Sequence, residues 1–228
     1  ALTRAIRIDP IVIGGMLRGR TTSGAEAPPQ GPARHLSVLL HLPAVRIAVT
    51  AAVISQGVMA MMMSTISLHL RAHGHSWTAV SIALSAHFLG MFGLVVFVGR
   101  WVDRVGRERA LIGGLLILIA GSVALLGEVD LAWVTPAMLV VGIGWNVSFV
   151  AATAMLADAT EPVERAGLLG FADFLGMTSS AVSSLFAGVL IGAMGIGALV
   201  AVGTALALVP VALFAARRHH ARVTAPTA

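Results

Sequence analysis

Six long runs of apolar residues follow one another along most of this 228-residue chain. Crossing a hydrocarbon core of about 30 Å takes roughly 20 such residues in a helix. Backbone groups inside lipid must find hydrogen-bond partners within their own segment, so each run is predicted to be helical. The period-two alternation of an outer-membrane barrel is missing. The expected fold class is therefore all-α, a polytopic membrane domain of six transmembrane helices within residues 46–216. The runs cover 46–69, 79–99, 110–127, 132–156, 166–192 and 196–216.

The composition agrees with a membrane protein and excludes several other classes. Hydrophobic residues make up 57% of the chain and charged residues 11%, whereas ordinary soluble domains carry about 25% charge. Cysteine is absent, which excludes disulfides, thiol catalysis and cysteine-based metal sites. A net charge of +5 would suit a nucleic-acid partner, but the arginines lie between apolar runs. Membrane topology explains them better, so no nucleic-acid partner is expected.

The arginines divide unevenly between the two ends of the predicted helices. Six lie before or at the start of the first run, four after the second run, one before the fifth and three in the tail, whereas only Arg71 lies at the opposite end. The positive-inside rule therefore places both termini in the cytoplasm. A multi-pass protein of the plasma membrane or the bacterial inner membrane is expected. Residues 1–45 are expected to form a flexible cytoplasmic linker, and residues 217–228 a cytoplasmic tail.

The loop after the second run carries the most specific motif of the chain. It reads Gly99-Arg100-Trp101-Val102-Asp103-Arg104-Val105-Gly106-Arg107-Glu108-Arg109. This resembles the signature loop G-x-L-A-D-R-x-G-R-(R/K) of the major facilitator superfamily of transporters, which lies between the second and third helices of a six-helix half. Trp101 replaces the usual leucine and Glu108 a basic residue. The resemblance covers residues 46–216.

The same resemblance implies that the chain is the second half of such a transporter. An arginine before a G-x-G in the fourth helix and a G-P pair in the fifth are typical of the family's first half. Here the fourth run has Gly142 and Gly144 without an arginine, and the fifth run has no proline. The polar region upstream resembles the family's central cytoplasmic loop. The expected partners are therefore the missing N-terminal six-helix half, the lipid bilayer and a small-molecule substrate.

The charges of the signature loop are expected to form a conformational latch. Gly106 permits a turn that a side chain would hinder. Asp103 can accept charge-assisted hydrogen bonds from Arg104 or Arg107, Asp158 at the end of the fourth run is a further acidic partner, and charges of the next loop could join. A network that forms in one conformation and breaks in the other is what alternating access requires. The alternative is a solvated loop whose charges only set topology. The expected latch residues are Gly99, Asp103, Arg104, Gly106, Arg107 and Asp158.

Two ionisable residues lie at membrane depth, where a charge is costly and is by default a functional candidate. Asp173 shares a helical stripe with small and polar residues, while Leu168 and Phe171 are expected to face lipid. Asp173 should therefore face the protein interior or an aqueous cavity, where it either couples transport to protons or is a structural partner for a positive group. His87 either relays protons or makes a neutral helix contact beside Gly90.

Three further residues near mid-depth complete the candidate pathway. In the resembling family, substrate binds at mid-membrane between the halves, and the first, second, fourth and fifth helices of each half line that cavity. The alternative for the polar residues is an interhelical hydrogen bond. The expected substrate or proton pathway comprises Gln56, His87, Trp145, Asn146 and Asp173.

Other residue clusters favour structural roles. Met59 and the run Met61–Met63 could bind varied apolar ligands, but three consecutive residues cannot all face one cavity, so packing is favoured. His69, His73 and His75 have metal-compatible spacing without a nearby carboxylate, so no metal or cofactor is expected. Gly188 and Gly192 are expected to permit close helix packing, as do other glycines within the runs.

The expected function is secondary active transport of a small molecule, as proton-coupled drug or metabolite efflux. Residues Ser55–Leu70 and Gly142–Asp158 resemble bacterial efflux members of the family. No Walker A motif is present, which argues against an ATPase. Asp173 and His87 are isolated and form no nucleophile–base pair, so an enzyme is not expected. The alternative is a non-transporting membrane interaction module, or a half-transporter that needs a partner half.

Overall fold

The fold was analysed in a computed structural model that describes residues 33–126 and 129–223, with side chains described up to residue 217. Residues 1–32 of the predicted linker and 224–228 of the predicted tail lie outside the described residues. Within the described ranges the chain forms helices and no strand, which confirms the all-α prediction. The helices are α1 (Leu36–His41), α2 (Pro43–Ala72), α3 (Trp77–Phe92), α4 (Val95–Val105), α5 (Arg107–Ala124), α6 (Leu131–Asp158) and α7 (Pro162–Val223).

The long helix α7 is interrupted at Gly195, which has φ 79° and ψ 178°. Only glycine adopts such a backbone without strain. We call residues 162–194 the first arm and residues 196–223 the second arm. Gly57 of α2 faces the first arm and Gly203 of the second arm faces α2, so both arms pack on the same helix. The chain therefore reverses at Gly195, between the fifth and sixth predicted runs.

The helices follow the predicted apolar runs closely. Three of them, α2, α6 and α7 up to Arg217, are long and apolar enough to cross a membrane. Helices α3 and α4, bent by 45° at residues 93–94, would add a fourth span if they cross together. Helix α5 has only 18 residues and carries three charges in its first turn. The structure thus shows a helical chain with several candidate spans, rather than a demonstrated set of six.

Glycines set the distances between the central helices. A Cβ on Gly142 of α6 would collide with backbone atoms of His87 and Gly90 in α3, and one on Gly144 would collide with the backbone of Leu118 in α5. These glycines let helix backbones touch, as the sequence predicted. Gly188 and Gly192 differ from their prediction, because no described atom lies within 4 Å of a Cβ built at either position.

The helical domain begins slightly earlier than predicted. Helix α2 begins at Pro43 instead of residue 46, and the short helix α1 lies inside the predicted linker. Leu39 of α1 is 2% exposed and belongs to a core cluster that includes Val45 of α2 and Leu168 of the first arm. The last described residues of the linker are therefore packed onto the membrane domain.

Candidate functional site

A cavity of about 410 Å³ opens between α2, α3, α6 and the first arm of α7. Its wall is largely apolar, and two polar side chains, Gln56 and Asp173, face it. Cavities of this size and composition are typical of sites for small organic ligands. The lining residues are Ala52, Gln56, Met91, Phe92, Trp145, Phe149, Ala172, Asp173, Gly176 and Met177.

One wall of the cavity is aromatic and held by a hydrogen bond. Trp145, near the middle of α6, donates its indole N–H to Oε1 of Gln56 in the middle of α2 at 2.6 Å. Phe149, one turn further along α6, stacks on Trp145 with ring centroids 5.0 Å apart and an interplanar angle of 14°. Phe92 meets the Trp145 ring edge-on, with centroids 6.2 Å apart. The indole is thereby fixed by three neighbours before any ligand arrives.

Asp173 supplies the carboxylate of the cavity. Gly176, one turn later on the first arm, faces Gln56 so closely that a Cβ would lie 3.5 Å from Cγ of Gln56. This approach brings Asp173 to the cavity wall, where its side chain is exposed and not enclosed by the helices of this chain. No hydrogen bond or ion pair of Asp173 occurs among residues 33–126 and 129–217.

Leu168, expected to face lipid, is instead buried at 1% exposure, because this part of the arm packs on α2.

Two residues of the predicted pathway, His87 and Asn146, lie outside the lining of this cavity. His87 is fully buried and is hydrogen-bonded through Nδ1 to the carbonyl of Met138 in α6 at 3.1 Å. Asn146 donates to the carbonyl of Gly90 in α3 at 3.4 Å. Both side chains lie in the α3–α6 contact, because Gly90 and Gly142 bring the two backbones together there. These contacts agree with the interhelical hydrogen bonds that were the alternative for both residues, and a role in the substrate or proton pathway stays a prediction.

Charged residues of the signature loop form ion pairs within the group of residues predicted for the latch. Gly106 has φ 93° and separates α4 from α5, which places Arg107 at the first position of α5. Arg107 pairs through Nη1 with Oδ1 of Asp103 at 2.9 Å and donates from Nε to Oδ2 of Asp158 at 3.0 Å. One guanidinium thus joins the α4–α5 loop to the end of α6. All three side chains remain in contact with solvent, at 67%, 32% and 61% exposure for Asp103, Arg107 and Asp158.

Two predicted latch residues take no part in these bonds. Arg104 is exposed and pairs with no acidic group of the described residues. The guanidinium of Arg107 instead contacts the carboxylates of both Asp103 and Asp158. A Cβ added to Gly99 would have no described atom within 4 Å, so close packing does not require a glycine there. The tail adds a further ion pair, from Arg217 to Glu108 at 3.2 Å.

A further ion pair at this end of the bundle joins Arg34 to Glu164. Glu164 was among the charges of the next loop that could join the latch, but its pairing with Arg34 was not predicted from the sequence. Arg34 donates from Nε to Oε1 and from Nη2 to Oε2 of Glu164, both at 2.7 Å, and its backbone N–H donates to Oε1 at 2.9 Å. The backbone N–H of Glu161 donates to Oε2 at 3.1 Å, which caps the start of α7. The Arg34 guanidinium, with these backbone donors, lowers the pKa of the Glu164 carboxyl from its ordinary 4.5 to about 2. Glu164 precedes the apolar run that begins at residue 166.

The remaining candidates have structural surroundings. Met59, Met61 and Met62 are buried among helices. The rings of His69 and His73 lie 4.4 Å apart at the end of α2. Among the described residues no cluster of three or more potential metal ligands occurs.

Comparison with known proteins identifies the family. Residues 48–228 match the Major Facilitator Superfamily. The chain is 34% identical over 183 residues to the riboflavin transporter RfnT of Brucella anthropi, an alignment that covers 79% of this chain and 46% of the relative. It is 31% identical over 221 residues to the uncharacterized MFS-type transporter YdeG of Bacillus subtilis, covering 93% of this chain and 50% of the relative.

The chain thus spans about half the length of these curated relatives. The match covers most of the chain and includes the signature loop, the cavity residues and both arms of α7. The family consists of membrane transporters and not of enzymes. This chain, a multi-pass membrane protein, therefore belongs to the Major Facilitator Superfamily.

Proposed function

We propose that this chain forms one six-span half of a secondary active transporter that moves a small organic molecule by alternating access. The cavity carries the proposal. It combines a fixed aromatic wall with the carboxylate of Asp173, which has no partner among the described residues, and it is open where Asp173 and Met177 are exposed. We propose that an N-terminal six-helix half covers it, which agrees with the chain matching half the length of its relatives.

The proposed substrate class is a flat, partly aromatic compound of the size of a flavin. The stacked pair Trp145 and Phe149 offers aromatic surface, against which a planar ring can stack or lie edge-on. Gln56 and Asp173 offer hydrogen-bonding groups for a polar rim. The relative named as a riboflavin transporter supports this class. Riboflavin is therefore the first substrate to test.

We further propose that Asp173 couples transport to protons and that the direction is efflux. A coupling carboxylate must change its protonation during the cycle, which a permanent positive partner would oppose. Asp173 has no such partner within the described chain. The resemblance of Gly142–Asp158 to bacterial efflux members supports the outward direction.

Asp173→Asn tests this function in the complete transporter, reconstituted in sealed vesicles. We expect accumulation of riboflavin driven by a pH gradient to be lost, while exchange of riboflavin without a gradient survives, because only the driven process needs the proton. Asp130→Asn is the matched control, since Asp130 caps α6 outside the cavity and asparagine caps equally well. If exchange and the amount of folded protein both fall in Asp173→Asn, Asp173 is a structural residue. No transport by the parent would leave the non-transporting module as the better description.

The proposed topology places both ends of the chain in the cytoplasm, with six crossings that include α5 and each arm of α7. The uneven distribution of arginines supports this orientation. The chain has no cysteine of its own, so single cysteines at Ser76 and Ala221 can be labelled without background. We expect them to react from opposite faces of the membrane. Labelling from the same face would contradict the six-span arrangement.

A further inference from the structure

The ion pair between Arg34 and Glu164 is unusual in how unequally its partners are exposed. The Glu164 side chain is 2% exposed, whereas that of Arg34 is 41% exposed. Four donors surround the carboxylate, three from Arg34 and one from the backbone of Glu161. A buried charge that loses its partner is strongly unfavourable. The first turn of α7 therefore depends on a residue that lies 130 positions earlier in the chain.

A continuous helix connects this ion pair to the cavity. Asp173 follows Glu164 by nine residues, or about 13 Å of helix. The non-helical residue inside α7, Gly195, lies well beyond both. A helix without a break transmits a displacement of its first turn along its length. A displacement of Glu164 is therefore expected to move Asp173 and Met177, which lie on the cavity wall.

We propose that Arg34 is a positioning residue for transport, which holds the first arm of α7 through Glu164 and so fixes Asp173 at the cavity. The proposal rests on the proposed function. Arg34 lies outside residues 48–228, the part that matches the family. Leu39 of α1 is buried in the same core cluster as Leu168 of the first arm. The segment that carries Arg34 and α1 is therefore packed together with the first arm and should move with it.

The test uses a single cysteine in place of Met177, because this side chain is 66% exposed and lines the cavity. Its rate of labelling by a maleimide reports the position of the first arm, whether or not the protein transports. The variants are Arg34→Gln, Glu164→Gln and the charge exchange Arg34→Glu with Glu164→Arg. Arg217→Gln is the matched control, since it removes an arginine from an exposed ion pair at the same end. Driven riboflavin transport is measured in the same variants without the cysteine.

We expect Arg34→Gln and Glu164→Gln to change the labelling rate at position 177 by about threefold or more, and to lower the maximal rate of driven transport by about tenfold. The Michaelis constant for riboflavin should rise as well, because Asp173 and Met177 are displaced from their places on the cavity wall. The charge exchange should restore at least half of both readouts, and Arg217→Gln should change neither.

Every other outcome would contradict one part of the proposal or the proposed function on which it rests. Unchanged labelling in Arg34→Gln would show that the ion pair does not position the first arm. Changed labelling with normal driven transport would reduce the pair to a structural contact and overturn the transport role. A parent that transports no riboflavin but shows the labelling effect would overturn the proposed function and not the anchoring of α7 by Arg34.

Discussion

Two of the ion-pair groups at one end of this helix bundle are built in opposite ways. In the first, which we call the anchor, Arg34 binds an enclosed Glu164 through both oxygens. In the second, the latch, Arg107 is shared between two carboxylates that are each more than half exposed. Water competes for the latch and can replace its bonds, whereas it has little access to the Glu164 carboxylate.

This difference shows that similar charges can serve opposite mechanical needs. Alternating access requires contacts that break in each cycle and contacts that persist through it. Exposed ion pairs contribute about 0–1 kcal/mol and can therefore open at little cost. An enclosed, fully bonded carboxylate stays paired. We interpret the latch as the contact that opens and the anchor as the contact that keeps the first arm of α7 in place.

The largest expected difference between anchor and latch is in stability. Arg34→Gln should lower the midpoint of thermal unfolding clearly, because it leaves the Glu164 carboxylate enclosed without its guanidinium. Arg107→Gln should lower it only slightly, in line with a loss of less than about 1 kcal/mol. Unfolding of the detergent-solubilised protein, followed by circular dichroism, measures both.

Glu164→Gln sharpens that comparison, since it removes the enclosed charge and leaves Arg34 exposed to water. It should be less damaging than Arg34→Gln. Equal midpoints for Arg34→Gln and Arg107→Gln would remove the distinction between anchor and latch.

A smaller effect is expected when the latch alone is weakened. Asp103→Asn removes the negative charge that pairs with Arg107 and leaves at most a hydrogen bond from the guanidinium to a neutral oxygen, while the bond from Arg107 to Asp158 remains. Insertion and folding should be normal, and driven transport by the complete protein should fall several-fold. Arg104→Gln is the control, because Arg104 has no acidic partner among the described residues. Transport equal to the parent at matched expression would show that the loop charges only set topology.

The smallest effect concerns pH. Because Arg34 holds the pKa of Glu164 at about 2, below its ordinary 4.5, the anchor is fully formed above pH 4.5 and is lost as the pH falls towards 2. The difference in unfolding midpoint between the parent and Glu164→Gln should therefore be constant from about pH 8 to about pH 5 and shrink below about pH 4. A difference that stays constant down to about pH 2 would mean that Arg34 does not lower the pKa of Glu164.

The fold was largely predictable, because the bilayer constrains it so strongly. Backbone groups in lipid must be hydrogen-bonded within their own segment, so long apolar runs are expected to be helical. The helices of the structure follow the predicted runs. The sequence also offered Arg104 or Arg107 as a partner for Asp103, with Asp158 as a further acidic partner, and the structure pairs Arg107 with both carboxylates. The bend between α3 and α4 was not predicted, because the apolar run continues through it without interruption.

The candidate site was predictable only in part. Gln56, Trp145 and Asp173 do share one cavity. His87 and Asn146 were placed with them because depth along a helix can be counted from the sequence, whereas the direction of a side chain around the bundle cannot. The rotation of α3 and α6 is set by Gly90 and Gly142, which turn both polar side chains into the helix contact.

The family, the helical class and the extent of the apolar segments follow from the sequence alone, because these depend on local hydrophobicity and on a contiguous motif. Which polar groups meet is a property of the packed helices. Arg34 and Glu164 are separated by 130 residues and share no motif, so nothing local pairs them. Their contact exists because α1 packs near the start of α7, where the carboxylate is buried, and only the packed structure supplies that burial.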